Sequence, residues 1–121
     1  MELSYWAVAA LLAVLYLFAG GKKIVQSRER LRPMMGWVDT VPMPQVRAIG
    51  VLEVLGVAGL FLPPLTGIVP WLAVAAASGL ALIQVGAIVL HVRRGEASVV
   101  WLNVVALAVA AAAVWLATVW I

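Results

Sequence analysis

Four long apolar runs alternate with short polar segments, and all eight lysine and arginine side chains fall in just two of those segments. Lys22, Lys23, Arg28, Arg30, Arg32 and Arg47 flank or fill the gap between the first and second runs, and Arg93 and Arg94 fill the gap between the third and fourth. The N-terminus, the link 63–67 and the C-terminus carry no Lys or Arg. Positive charge beside a span resists translocation, so this partition predicts four membrane crossings with both basic loops in the cytoplasm and both termini on the other side. The fold class expected is all-α: an integral membrane four-helix bundle, with sequence neighbours antiparallel because the links are short.

Composition supports this reading. An apolar share of 66% with only 11% charge exceeds the roughly half that soluble domains carry. The 121 residues suffice for one domain, 1–121, with spans at about 3–21, 44–62, 68–91 and 99–121, each near the ~20 residues a crossing needs. The basic loops are then 22–43 and 92–98. The net charge of +3 reads as topogenic, with attraction to anionic lipid headgroups. No basic stripe interleaved with aromatics points to nucleic acid. The chain has no cysteine, which excludes disulfide exchange, thiolate nucleophiles, iron–sulfur clusters and cysteine-based zinc sites. The opening Met1-Glu2-Leu3-Ser4 lacks a basic n-region, so the first run is expected to be a retained span.

Within this frame, Tyr5 and Trp6 suit the headgroup level at the start of the first span. Ile24, Val25 and Leu31 alternate with polar residues, so helix is expected to continue along the membrane surface until Arg32-Pro33 ends it. Met34, Met35, Trp37 and Val38 give the long loop an apolar patch able to fold back on the bundle or dip into the interface. Pro42 and Pro44 suit the start of the second helix. Pro63-Pro64 opens the hairpin to the third, which carries Pro70 in its first turn. Ala73, Ala77 and Ala81, with Ala106 and Ala110 on the last span, allow close helix approach, either inside the bundle or in a homo-oligomer.

Six polar side chains do not belong in lipid. Glu53 lies about six residues, roughly 9 Å of rise, beyond Arg47. A carboxylate at mid-span costs about 2.5–3.5 kcal/mol, which predicts an interior position with a partner. Gly50 and Gly56, about a turn to either side, are expected to leave open space around it. Lys23, Glu53, His91 and Asn103 fall in one layer near the cytoplasmic ends of four different spans. Tyr16, Gly20 and Lys23 share one helix face, and Gln84 and His91 share another. Each also has a plain structural role. Glu53 could join an internal ion pair that locks helix register, and Lys23 could snorkel to the interface. His91 could suit a helix C-terminus, and Asn103 an interhelical hydrogen bond. Tyr16 and Gln84 could be packing residues with satisfied tips, and Met35 and Trp37 surface anchors rather than a pocket mouth. One His, one Glu and one Asn make a poor metal set. Ser78 and Ser98 lack the partners of a nucleophilic triad.

The chain resembles the DoxX-like family of small bacterial membrane proteins. The resemblance runs through Phe18-Ala19-Gly20-Gly21-Lys22-Lys23-Ile24, Met35-Gly36-Trp37 and Ile49-Gly50-Val51-Leu52-Glu53-Val54-Leu55-Gly56. It continues through Leu60-Phe61-Leu62-Pro63-Pro64-Leu65-Thr66-Gly67 and His91-Val92-Arg93-Arg94-Gly95-Glu96, with Asn103 following. It implies a four-helix bundle in the bacterial plasma (inner) membrane, with Lys23, Glu53, His91 and Asn103 as the family's polar positions. The wider group includes subunits associated with thiosulfate–quinone oxidation and membrane oxidoreductase complexes, alongside cargo receptors and assembly factors. The function expected is an accessory, non-catalytic subunit. Glu53, His91, Lys23, Asn103, Tyr16 and Gln84 would line an intramembrane pocket for a small lipophilic or quinone-like ligand. No intrinsic cofactor is expected; the expected partners are membrane lipid, a membrane oxidoreductase and, equally, a second copy of the chain. The alternative is a scaffold or assembly factor whose polar layer only fixes the fold.

Overall fold

A computed structural model describes residues 2–33, 35–96, 98 and 100–120. Met34 of the loop patch lies outside the described residues, as do Met1, Val99 and Ile121 at expected chain or span ends. The elements are α1 (Glu2–Val25), the one-turn α2 (Arg28–Leu31), α3 (Met43–Thr66), α4 (Leu72–Arg93) and α5 (Val100–Ala117), with 3-10 turns over Gly36–Asp39 and Thr118–Trp120. Hydrocarbon offers the backbone no hydrogen-bond partners, so apolar runs of this length satisfy their amides within helices.

α1, α3, α4 and α5 (the last with its 3-10 extension) are long and apolar enough to cross a membrane, and no more than 28% of any one's most apolar window is buried. The outward faces carry Leu52, Leu55, Leu62, Leu82 and Leu102, all more than half exposed. In water such continuous apolar surface would drive association; lipid solvates it. α1 packs on α3 and α5, and α4 packs on the same two helices. Their shared core contains Tyr5, Ala9 and Leu12 of α1, Leu60 of α3, Leu80 of α4 and Leu116 of α5. Ala73, Ala77 and Ala110 are fully buried in it, so these small residues serve packing inside the bundle. Tyr5, in the first turns of α1, turns inward with no exposed surface.

α3 runs past Leu62 and through both Pro63 and Pro64 before Gly67 ends it at φ 72°. Each proline withholds the one bond its own nitrogen would have made to the carbonyl four residues back, yet the helix continues, and Gly67 N reaches Pro63 O at 2.9 Å. The link to α4 therefore falls at 67–71 instead of the expected 63–67, displaced along the chain at the same length. Val69 adopts φ 49°, a strained state for a β-branched residue. Pro70 lies in the turn before α4, where its carbonyl accepts from Ala73 N at 3.1 Å.

Helix does not run unbroken from the first span into the long loop. α1 stops at Val25, Ser27 caps α2, and the chain then turns so that Leu31, Met35, Trp37 and Val38 pack as a second cluster with Val46 of α3. Arg32 ends α2 as expected, and its guanidinium pairs with Asp39 at 2.9 Å.

Candidate functional site

The site begins with a crossing of glycines. A Cβ placed on Gly50 would lie 2.7 Å from Gly20 O and 2.9 Å from Lys23 Cβ; one on Gly20 would lie 3.0 Å from Gly50 O and 3.1 Å from Glu53 Cβ. Each glycine is thus the floor on which the other helix's charged side chain lies. The expected open space around the carboxylate is absent there, because α1 and α3 have closed into it. A Cβ on Gly56 would likewise meet Leu80 Cδ2 at 2.6 Å, on the α4 side.

This approach lets Lys23 donate to Glu53 in a buried ion pair, with the carboxylate side chain 2% exposed. Lys23 is no snorkelling anchor. The ring of Trp37 stands 5.5 Å from its ammonium, a cation–π distance. Arg47, read from sequence only as a topogenic charge, donates to Lys23 O at 2.8 Å and Gln26 O at 2.6 Å. It thereby covers carbonyls that the end of α1 leaves free.

A second polar system crosses three helices. Asn103 Nδ2 donates to Gln84 Oε1 at 2.9 Å, Gln84 Nε2 donates to the Tyr16 hydroxyl at 2.8 Å, and that hydroxyl donates to Leu80 O at 2.9 Å. The interhelical bond from Asn103 and the satisfied tips of Tyr16 and Gln84 follow the sequence expectation.

His91 joins neither system directly. Its Nδ1 meets Glu96 Oε1 at 2.9 Å, the same oxygen that accepts from Arg94 Nε at 3.0 Å. Arg94 Nη1 also donates to Thr40 Oγ1 at 3.1 Å, tying the second loop to the first. The hydrogen bond from Arg94, then that from His91, holds the Glu96 carboxyl below the usual glutamate range. Sequence reasoning missed Glu96 as a partner, although it closes the H-x-R-R-G-E segment.

All six expected side chains nevertheless line one cavity of about 660 Å³: Tyr16, Lys23, Glu53, Gln84, His91 and Asn103. Met35 and Trp37 also face it, at 9% and 8% exposure, so they close over the bundle rather than anchor to a surface. Most of the remaining wall is aliphatic, including Ile49, Ile83 and Leu90. Among the described residues no three His, Asp or Glu groups converge as metal ligands would.

The model of the DoxX-like family matches residues 7–113. The chain belongs to the DoxX-like family. Neither a curated protein nor a solved structure matches it. In this DoxX-like protein the matched segment contains all six polar side chains of the cavity and both glycines of the crossing. With four helices able to span a bilayer, it is a multi-pass membrane protein.

Proposed function

We propose that this DoxX-like protein is an accessory membrane subunit that holds a small lipophilic molecule, quinone-like in character, in the cavity between its four helices. One observation carries the reading: six polar side chains from four separate helices border a single space of about 660 Å³ with otherwise apolar walls. Small-molecule sites combine that size with a few convergent polar groups on an apolar lining. Glu53 and His91 are the groups suited to exchange hydrogen bonds and protons with a ligand head, and Lys23 balances the carboxylate. Electrons for any redox change of the ligand come from a partner oxidoreductase. That association rests on the family resemblance alone. The family resemblance supports placement in a bacterial plasma membrane, and the charge partition supports both basic loops in the cytoplasm, both termini opposite and sequence-adjacent spans antiparallel.

Photolabelling with an azido-quinone in membranes tests the proposal. Label is expected on α4 and α5 cavity residues and is expected to fall in Glu53→Ala and Asn103→Leu. Equal labelling of all three proteins removes the reading.

The internal pairing of Lys23 with Glu53, and of Asn103 through Gln84 to Tyr16, favours a second reading: a scaffold or assembly factor whose polar groups satisfy one another. Affinity purification in mild detergent decides this one. A homo-oligomer with no co-purifying enzyme counts against it.

A further inference from the structure

The cavity has a closed end and an open side. Every buried residue of α5 lies at or beyond Ala110, and every buried residue of α4 lies at or before Leu80. At that tight end the rings of Tyr5 and Trp120 pack edge to face with centroids 5.4 Å apart. Toward the loops, α1 and α5 part. Leu15 and Phe18 of α1 and Leu102 and Val105 of α5 line the cavity, yet they are 44%, 56%, 57% and 53% exposed. Side chains that face an interior space and the exterior at once mark an opening. This one lies between two membrane-spanning helices and is rimmed entirely by hydrocarbon. The route from water is covered instead: Met35 and Trp37 are packed down over the loop end, and Arg94 fastens the two loops through Thr40.

We propose that the cavity is filled sideways from the bilayer, through a portal between residues 15–18 of α1 and 102–105 of α5, by a long-chain amphiphile with an uncharged polar head. The proposal rests on the reading of the cavity as a ligand site. The tail lies in the apolar portal, continuous with the acyl chains outside, and the head reaches the polar groups of the same cavity, the amides of Gln84 and Asn103 together with Glu53 and His91. An uncharged head follows from pairing already present: Lys23 is matched by Glu53, and His91 by Glu96, so a charged head would enter a low-dielectric site without a free counter-ion.

The test uses the full chain in phosphatidylethanolamine–phosphatidylglycerol vesicles containing a long-chain alcohol with a diazirine near its hydroxyl end. Crosslinks are mapped by peptide mass spectrometry. Wild type is expected to be labelled at the cavity-facing Ala87 and Ala106 as well as at the outward Leu82, which is 69% exposed. Leu102→Trp, and separately Val105→Trp, narrow the portal. Each is expected to lose label at Ala87 and Ala106 and to keep it at Leu82, which reports a folded, lipid-embedded protein. Retained cavity label in both variants overturns the portal and leaves the ligand site standing. Absence of cavity label in wild type, with Leu82 labelled, overturns both.

Discussion

The Tyr5 hydroxyl donates to the Leu60 carbonyl at 2.5 Å, an acceptor freed because the residue four positions on, Pro64, has no N–H to give it. A tyrosine at the start of one helix thus repairs a gap that proline makes near the end of another. Tyr5→Phe is expected to destabilise by about 1–3 kcal/mol, the cost of leaving a buried carbonyl unpaired. In a Pro64→Ala background, where residue 64 can bond Leu60 itself, the same change is expected to cost clearly less. A double-mutant cycle from unfolding in detergent measures the difference. Equal costs in the two backgrounds would refute the link.

Removing one partner of the Lys23–Glu53 pair strands a charge in the bundle. Lys23→Met and Glu53→Leu are each expected to destabilise by about 3–5 kcal/mol, whereas the two together are expected to approach wild-type stability. Thermal unfolding of the four proteins checks this. A double variant as unstable as the sum of the singles would show that the pair does not act as a unit.

Gly50→Ala puts a methyl group 2.7 Å from a backbone oxygen, which cannot move unless a helix moves. Separation of α1 from α3 and a loss of stability are expected. Gly86→Ala is the matched control, because a Cβ there meets nothing within 4 Å. It is expected to be neutral or to gain up to about 1 kcal/mol from helix propensity. Comparing the two midpoints distinguishes loss of close approach from a general effect of replacing glycine.

The clamp of Glu96 with Arg94 and His91 carries a pH dependence. Its carboxyl is held below the usual range by Arg94 first and His91 second. A depressed folded value means the stabilisation is present above the unfolded glutamate value and is lost as pH falls through the folded one. The protection of amides 94–96, taken relative to their intrinsic exchange rate at each pH, is therefore expected to fall on acidification below the ordinary glutamate range. Glu96→Gln should show low protection already at neutral pH and no such step. An acid step of wild-type size in that variant would assign it to another group.

The sequence by itself determined the number and class of the long elements, because hydrocarbon leaves a backbone no alternative to helix over runs of about 20 apolar residues. It also determined which polar residues share a face, because a 3.6-residue period puts Tyr16, Gly20 and Lys23 in line whatever surrounds them. The six side chains bordering the cavity were legible from that period together with the cost of a polar group in lipid, which turns such residues inward, and from their common depth in the spans. Their partners were not, since pairing depends on distances between helices that no local period encodes. Only the tertiary structure decided that Gly20 and Gly50 meet and press Lys23 onto Glu53, that His91 turns to Glu96, and that Arg47 covers the end of α1. Trp37 folds inward for the same kind of reason: an apolar loop residue buries itself on whichever surface is nearest, and the packed helices set where that surface lies.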